Sequence, residues 1–286
     1  MTQPHFIVHE PENLRSNLVF ASPHSGSNYD KAFLASSNLD LNQLRSSEDA
    51  FVHDLFRVAP SLGAPLLVAN APRAFVDLNR TETELDPALI LGAPLARINP
   101  RIASGLGVIP RVVAEGRCIR SGKICMAEAQ ARINDIHRPY HEKLRLLLGD
   151  ARLKFGAGIL IDCHSMPHSA TENMVVKGGR RPDIVLGDRY GASAPTSLVE
   201  YIENSFREEG FTVSRNVPFA GAYNLQKYGR PTASFYALQI EIDRALYMDE
   251  VKIQKTAGYW DVKSSIENVV QKLTSTNWLE LGVAAE

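Results

Sequence analysis

The chain has 286 residues, of which 44% are hydrophobic and 22% charged, with a formal net charge of -1. That is long enough to bury a core without disulfides or a structural metal. The balanced charge, with no block of one sign, argues against nucleic acid or an anionic membrane surface as a partner. Cys118, Cys125 and Cys163 form no CxxC pair, so no disulfide framework is expected. No apolar run approaches transmembrane length, and the first residues lack a signal-peptide pattern. The cytoplasm is the expected location, and the sequence carries no signal for an oligomeric state.

Residues 18–21 form an apolar run that predicts a buried strand, ending at Ser22-Pro23-His24. Residues 39–59 read as a helix, with Ser46 and Ser47 as a break or cap. Residues 65–69 and 74–77 read as strands. Residues 81–122 are rich in Pro, Gly and Arg and read as irregular. So long a loop in a compact domain is usually functional. Residues 125–154 follow a helical pattern interrupted at Pro139, and 157–162 and 183–187 read as buried strands. Residues 196–209 predict an amphipathic helix closed by Gly210. Residues 237–243 alternate with period two, as a strand does, and a last helix covers about 261–273. Strands alternating with helices predict one α/β domain over 1–286. It has a mixed or mostly parallel central sheet, helices on both faces, and a substrate-shaping insertion at 81–122. Ligand sites in such sheets lie at the carboxyl ends of strands.

His24 and His164 each follow a buried apolar run and precede small residues, a context that suits metal ligation. Asp162 lies two residues before His164 and shares its face of an extended segment, where it can orient the imidazole. Cys163 then points to the core. Ser46-Ser-Glu-Asp-Ala50 supplies Glu48 and Asp49 as acidic ligands, although carboxylates there also suit helix capping.

Arg73, Asn79 and Arg80 frame Arg73-Ala-Phe-Val-Asp-Leu-Asn-Arg80. An arginine fork matches a carboxylate, a neighbouring amide completes the grip, and a second arginine can stabilise a developing oxyanion. The plainer alternative is surface ion pairing with Asp77. Glu241 shares a strand face with Gln239 and Asp243. Beside a metal it can act as a general base, although periodicity alone favours a solvated polar face.

The ordered set of segments resembles the N-formylglutamate amidohydrolase family. The matching segments are Ser22-Pro-His-Ser-Gly26, Glu48-Asp-Ala-Phe-Val-His-Asp-Leu-Phe56, Arg73-Ala-Phe-Val-Asp-Leu-Asn-Arg80 and Arg138-Pro-Tyr-His141. Asp162-Cys-His-Ser165, Gly221-Ala-Tyr-Asn-Leu-Gln-Lys-Tyr-Gly-Arg-Pro231, Leu238-Gln-Ile-Glu-Ile242 and Tyr247-Met-Asp-Glu250 complete the set. The resemblance implies a zinc-exopeptidase-like (phosphorylase/hydrolase-like) fold, similar also to aspartoacylases and carboxypeptidases. It implies His24 and His164 as zinc ligands, Glu241 as general base, Arg73 at the oxyanion, and Asn79 and Arg80 on the substrate carboxylate. Tyr223 is implied as a hydrogen-bond donor in the substrate pocket. Those relatives carry an acidic ligand three residues after the first histidine, where this chain has Ser27. The acidic ligand is therefore expected at Asp49, with Glu48 as the alternative.

The implied activity is hydrolysis of an N-acyl amino acid, a small-molecule carboxylate, with one Zn2+ per chain. N-formyl-L-glutamate, yielding formate and L-glutamate, is the leading substrate. The alternatives are another N-acyl amino acid or short peptide, or a silent relative that only binds carboxylate.

Overall fold

The computed structural model describes residues 4–95, 99–175, 179–278 and 280. Residues 96–98, part of the expected insertion, and 1–3, at the start of the stretch read as lacking a signal peptide, lie outside the described residues. Seven strands form one sheet: β1 Phe6–His9, β2 Leu18–Ser22, β3 Leu66–Ala69, β4 Gly158–Met166, β5 Ile184–Gly187, β6 Val213–Arg215 and β7 Phe235–Asp243. Their spatial order is β1-β3-β2-β4-β7-β5-β6. The central four, β3-β2-β4-β7, are mutually parallel. β1 runs antiparallel to β3, β5 antiparallel to β7, and β6 parallel to β5. This is the mixed, mostly parallel α/β sheet expected from the alternation of elements.

The helices are α1 Lys31–Ala35, α2 Leu41–Arg45, α3 Val52–Leu55, α4 Pro100–Ala103, α5 Met126–Arg132, α6 Arg138–Phe155, α7 Thr196–Glu208, α8 Tyr223–Tyr228 and α9 Tyr259–Ser275. Strand periodicity divides the core between two faces. Phe20, Ile161, Cys163 and Ile240 pack against α3, α7 and α9. Val19, Ala21, Leu160 and Ala237 pack against α6, α8 and part of the 81–122 stretch. Cys163 is therefore core, as expected from its alternation with Asp162 and His164. No helix among the described residues is long and apolar enough to cross a membrane.

Two expected elements differ. Residues 74–77 form no strand. They lie in a turn, closed where the amides of Phe75 and Val76 donate to the Pro72 carbonyl. Ala74 and Val76 are buried and Phe75 is partly so, because described parts of the 81–122 stretch pack over them, which mimics a strand's hydrophobicity. Residues 39–59 form α2 and α3 rather than one continuous helix, with the break at Ser46 and Ser47 where a break or cap was expected. The chain leaves the helical path after Ser46, and Phe51 takes a left-handed φ of 67°. A bulky residue there is strained, and that reversal presents Asp49.

The helical run at 126–155 is interrupted, but ahead of Pro139 rather than at it, since Pro139 lies in the first turn of α6. The irregularity is a π turn at Ile133–His137, immediately before α6.

Candidate metal centre and active site

β2, β4 and β7 end side by side, and their carboxyl ends deliver the polar groups. His24 follows β2 in a loop that passes tightly over residues 70–71. A Cβ on Gly26 would sit 2.0 Å from the Ala71 carbonyl oxygen, so only glycine allows this approach. Asp49 is fixed beside it, its amide donating 2.9 Å to the His24 carbonyl.

His24, Asp49 and His164 are all buried, and one ligand atom from each lies within 4.8 Å of the others. His24 Nε2 donates to Asp77 Oδ1 at 2.7 Å, which leaves Nδ1 with a lone pair. That Nδ1 is buried without a hydrogen-bond donor or acceptor partner among the described residues. It faces Asp49 Oδ2 at 3.4 Å. Two electron-rich atoms pressed together in a dry site repel each other, and a cation between them removes the conflict. His164 Nδ1 approaches the same Asp49 oxygen at 3.0 Å, and its Nε2 lies 2.9 Å from Asp162 Oδ2. His24 is thus oriented by a carboxylate hydrogen bond, and Asp162 stands close to His164 Nε2 without completing one. Two nitrogens and one carboxylate oxygen are a donor set that fits a divalent metal.

Asp49 is held from behind. Its Oδ1 accepts from Arg244 Nη2 at 3.0 Å and Ser165 Oγ at 3.3 Å, which turns Oδ2 toward the histidines. Burial alone would raise its carboxyl, but the hydrogen bond from His164 holds it well below the usual carboxylate range. Burial would lower His164, yet Asp162, Asp49 and Glu241 hold it well above the usual imidazole range. Glu48 points elsewhere. It accepts from Arg45 Nε at 3.1 Å and is absent from the cluster.

Glu241 is the register partner of His164 on the adjacent strand. Gln239, Glu241 and Asp243 form a polar face, but that face is buried rather than solvated. The β4 polar face meets it, so both strands turn their polar side chains into one enclosed site. Gln239 Nε2 donates to Glu241 Oε1 at 2.8 Å. Burial, reinforced by Asp49, pushes the Glu241 carboxyl up to about 7, with His164 and Arg73 partly offsetting it.

Asp77 is no surface residue. It accepts from His24 and, through Oδ2, from Arg73 Nε at 3.1 Å. Burial would raise it, and His24, Arg73 and Arg80 hold it well below the usual range. Asn79 donates its amide to Asp77 Oδ1 at 2.8 Å, and its Oδ1 accepts from the Asn224 amide at 2.8 Å. Arg80 is buried, its Nε and Nη1 donating to the carbonyls of Leu106 and Asn79 at 3.0 and 2.7 Å. Neutral carbonyls do not cancel its charge, and burial pulls its pKa below the ordinary arginine value.

Behind this segment, Arg132 Nη1 donates 3.1 Å to the Phe75 carbonyl, and its guanidinium lies 3.9 Å from the Phe75 ring centre. His137 Nε2 donates 2.8 Å to the Arg80 carbonyl. Tyr223 stacks on His137 with ring centres 6.0 Å apart. It belongs to this histidine–aromatic cluster rather than to the walls of the open cleft.

A cleft of about 790 Å3 opens above the site. Arg73, Asp77 and Arg244 line it together with residues of the 81–122 stretch, from Ser104 to Arg117. The structure thus brings together His24, Asp49, His164, Glu241, Arg73 and Asn79. Sequence reasoning missed Arg244, Ser165 and Gln239 as supports, and took Asp77 only as an arginine partner.

The family model for N-formylglutamate amidohydrolase matches residues 16–248. The chain belongs to the N-formylglutamate amidohydrolase family. The N-formylglutamate deformylase of Pseudomonas putida is 30% identical over 247 residues, which cover 83% of this chain and 84% of that protein. The Pseudomonas aeruginosa N-formylglutamate deformylase is 29% identical over 243 residues, covering 82% and 84%. The crystal structure of N-formylglutamate amidohydrolase from Ralstonia eutropha JMP134 matches with a TM-score of 0.88 at 34% identity, covering 95% of this chain and 98% of that one. A gene product of Agrobacterium tumefaciens shares the fold, with a TM-score of 0.64 at 16% identity over 98% and 97% of the two chains. As a member of the N-formylglutamate amidohydrolase family, the chain is an amidohydrolase with a candidate metal site at His24, Asp49 and His164.

Proposed function

We propose that this protein hydrolyses N-formyl-L-glutamate to formate and L-glutamate, with one zinc ion held by His24, Asp49 and His164. The observation that carries the metal reading is the unrelieved approach of His24 Nδ1 to Asp49 Oδ2 in a buried site. The substrate reading is supported by the relatives named N-formylglutamate deformylase. We read the chain as one α/β domain in which residues 81–122 are the insertion that shapes the pocket.

When bound, the ion supplies Lewis acidity toward the formyl oxygen and toward water. Glu241 takes the proton of the attacking water. The water oxygen adds to the formyl carbon, the C–N bond breaks, and Glu241 delivers the proton to the departing nitrogen. A buried carboxyl, raised by desolvation before the ion binds, suits both halves of that exchange. Arg73 faces the charge that develops on the formyl oxygen. Arg80 and Asn79 hold the substrate carboxylate. A carboxylate there supplies the counter-charge that Leu106 and Asn79 carbonyls do not. Tyr223 adjoins Asn224, whose amide donates to Asn79, and its expected role is to donate a hydrogen bond to the substrate at that end.

A second reading, a larger N-acyl amino acid or short peptide as substrate, is favoured by the cleft of about 790 Å3, which is roomier than a formylated amino acid needs. The test is zinc content of the purified protein together with formate release from N-formylglutamate before and after chelation. One zinc per chain with chelator-sensitive formate release is the expected result. Zinc without formate release directs the search to larger N-acyl amino acids. Neither zinc nor turnover, after zinc is added back, overturns the proposal in favour of a carboxylate-binding relative.

A further inference from the structure

Three arginines line the cleft among the described residues: Arg73, Arg117 and Arg244. Two are committed. Arg73 pairs with buried Asp77, and Arg244 pairs with buried Asp49. Arg117 differs. Its Nε donates 3.2 Å to the carbonyl of Ala114, in its own turn. The carboxylate nearest to it is Glu115, 3.9 Å away and with its side chain 81% exposed. A solvated pair at that distance does little to neutralise a guanidinium.

The turn that carries Arg117 is built rather than loose. Val112 and Cys118 form an antiparallel bridge, and the amide of Val113 donates 3.0 Å to the Arg117 carbonyl. Glu115 and Gly116 take left-handed φ values of 61° and 70°, which reverse the chain at the tip. Val113 and Ile119 anchor the hairpin in a small apolar cluster with Leu44 and Ala74. Ala74 is the neighbour of Arg73, so the hairpin is fixed to the segment that forms the floor of the site.

We propose that Arg117 binds the side-chain carboxylate of the substrate and thereby selects dicarboxylic N-acyl amino acids. This rests on the amidohydrolase reading given above. Arg80 then takes one carboxylate and Arg117 the other, and the formyl group is presented to Glu241 between them. An arginine fork bonds a carboxylate in two places, and a neutral amide of the same shape cannot match that charge.

The test compares kcat/KM for N-formyl-L-glutamate and N-formyl-L-glutamine in the zinc-loaded wild type, Arg117→Met and Arg117→Lys. Arg117→Met keeps an apolar stem on a side chain that is one-third exposed. The expected result is a fall in the glutamate-to-glutamine ratio on the order of ten- to a hundredfold in Arg117→Met, through KM for the glutamate compound. Arg117→Lys falls between the two. A ratio within twofold of wild type in Arg117→Met, with formate still released from both compounds, overturns the proposal and leaves the amidohydrolase reading intact. No formate from either compound in the wild type overturns both.

Discussion

Glu241 and His164 are register partners on adjacent parallel strands. Their separation is set by the hydrogen-bonded ladder of the sheet rather than by a flexible loop. The proposed base and a proposed metal ligand therefore share one rigid support. Glu241→Gln keeps the shape and the bond from Gln239 but removes the proton carrier. It is expected to lower kcat for formate release by about 10^2- to 10^4-fold, with KM and zinc content near wild type. A rise in KM with kcat preserved would instead make Glu241 a substrate contact.

Asp49 and Glu48 are adjacent, yet only Asp49 reaches the histidines. Asp49→Ala should lose zinc on dialysis, while Glu48→Gln should retain one ion per chain by elemental analysis. Asp77→Asn and Asp162→Asn leave the ligands in place but remove their support. Each is expected to weaken zinc affinity by roughly 10- to 100-fold in competition with a chelating dye.

Burial pushes the Glu48 carboxyl from 4.5 to about 7, with Arg45 and Tyr29 offsetting only part of it. The folded state therefore holds this proton more tightly than the unfolded chain. Its contribution to stability is full below pH 4.5 and is lost as pH rises through about 7. The shift corresponds to at most roughly 3 kcal/mol. Glu48→Gln should flatten the dependence of Tm on pH across that window. An unchanged slope would show that Glu48 is not the group responsible.

Arg80 has two neutral partners and a buried charge. Arg80→Lys keeps the charge and loses the fork, and should raise KM for N-formylglutamate by about tenfold with little change in kcat. Arg80→Ala should raise KM further and also lower Tm, because the Leu106 and Asn79 carbonyls lose their donors. Equal losses in kcat for both variants would remove Arg80 from the binding role.

The parallel core of the fold was legible because β2 and the first half of β4 are apolar runs of the length a buried strand requires, and β7 alternates with period two. His24 and His164 were legible as polar residues at or just beyond such runs, whereas Glu241 was pointed to by the family resemblance and not by its alternation. The turn at 74–77 was not, because burial under the 81–122 stretch gives it the hydrophobicity of a strand. The polar face of Gln239, Glu241 and Asp243 reads as solvated from alternation, which shows that two faces differ and not which one meets water. Arg244 and Ser165 escaped notice because their bonds to Asp49 span 195 and 116 residues of chain. His137 is buried against the Arg80 carbonyl because the π turn aims it inward.

That π turn has a mechanical consequence. It lies between Arg132, which holds Phe75, and His137, which holds Arg80. Arg73 to Arg80 is not regular structure, yet one helical rod clamps it near both ends like the jaws of a vice. Deleting one residue from the turn could still leave a sound helix, but about 100° of rotation would separate the jaws. The loop would then lose the stiffness it borrows from the rod.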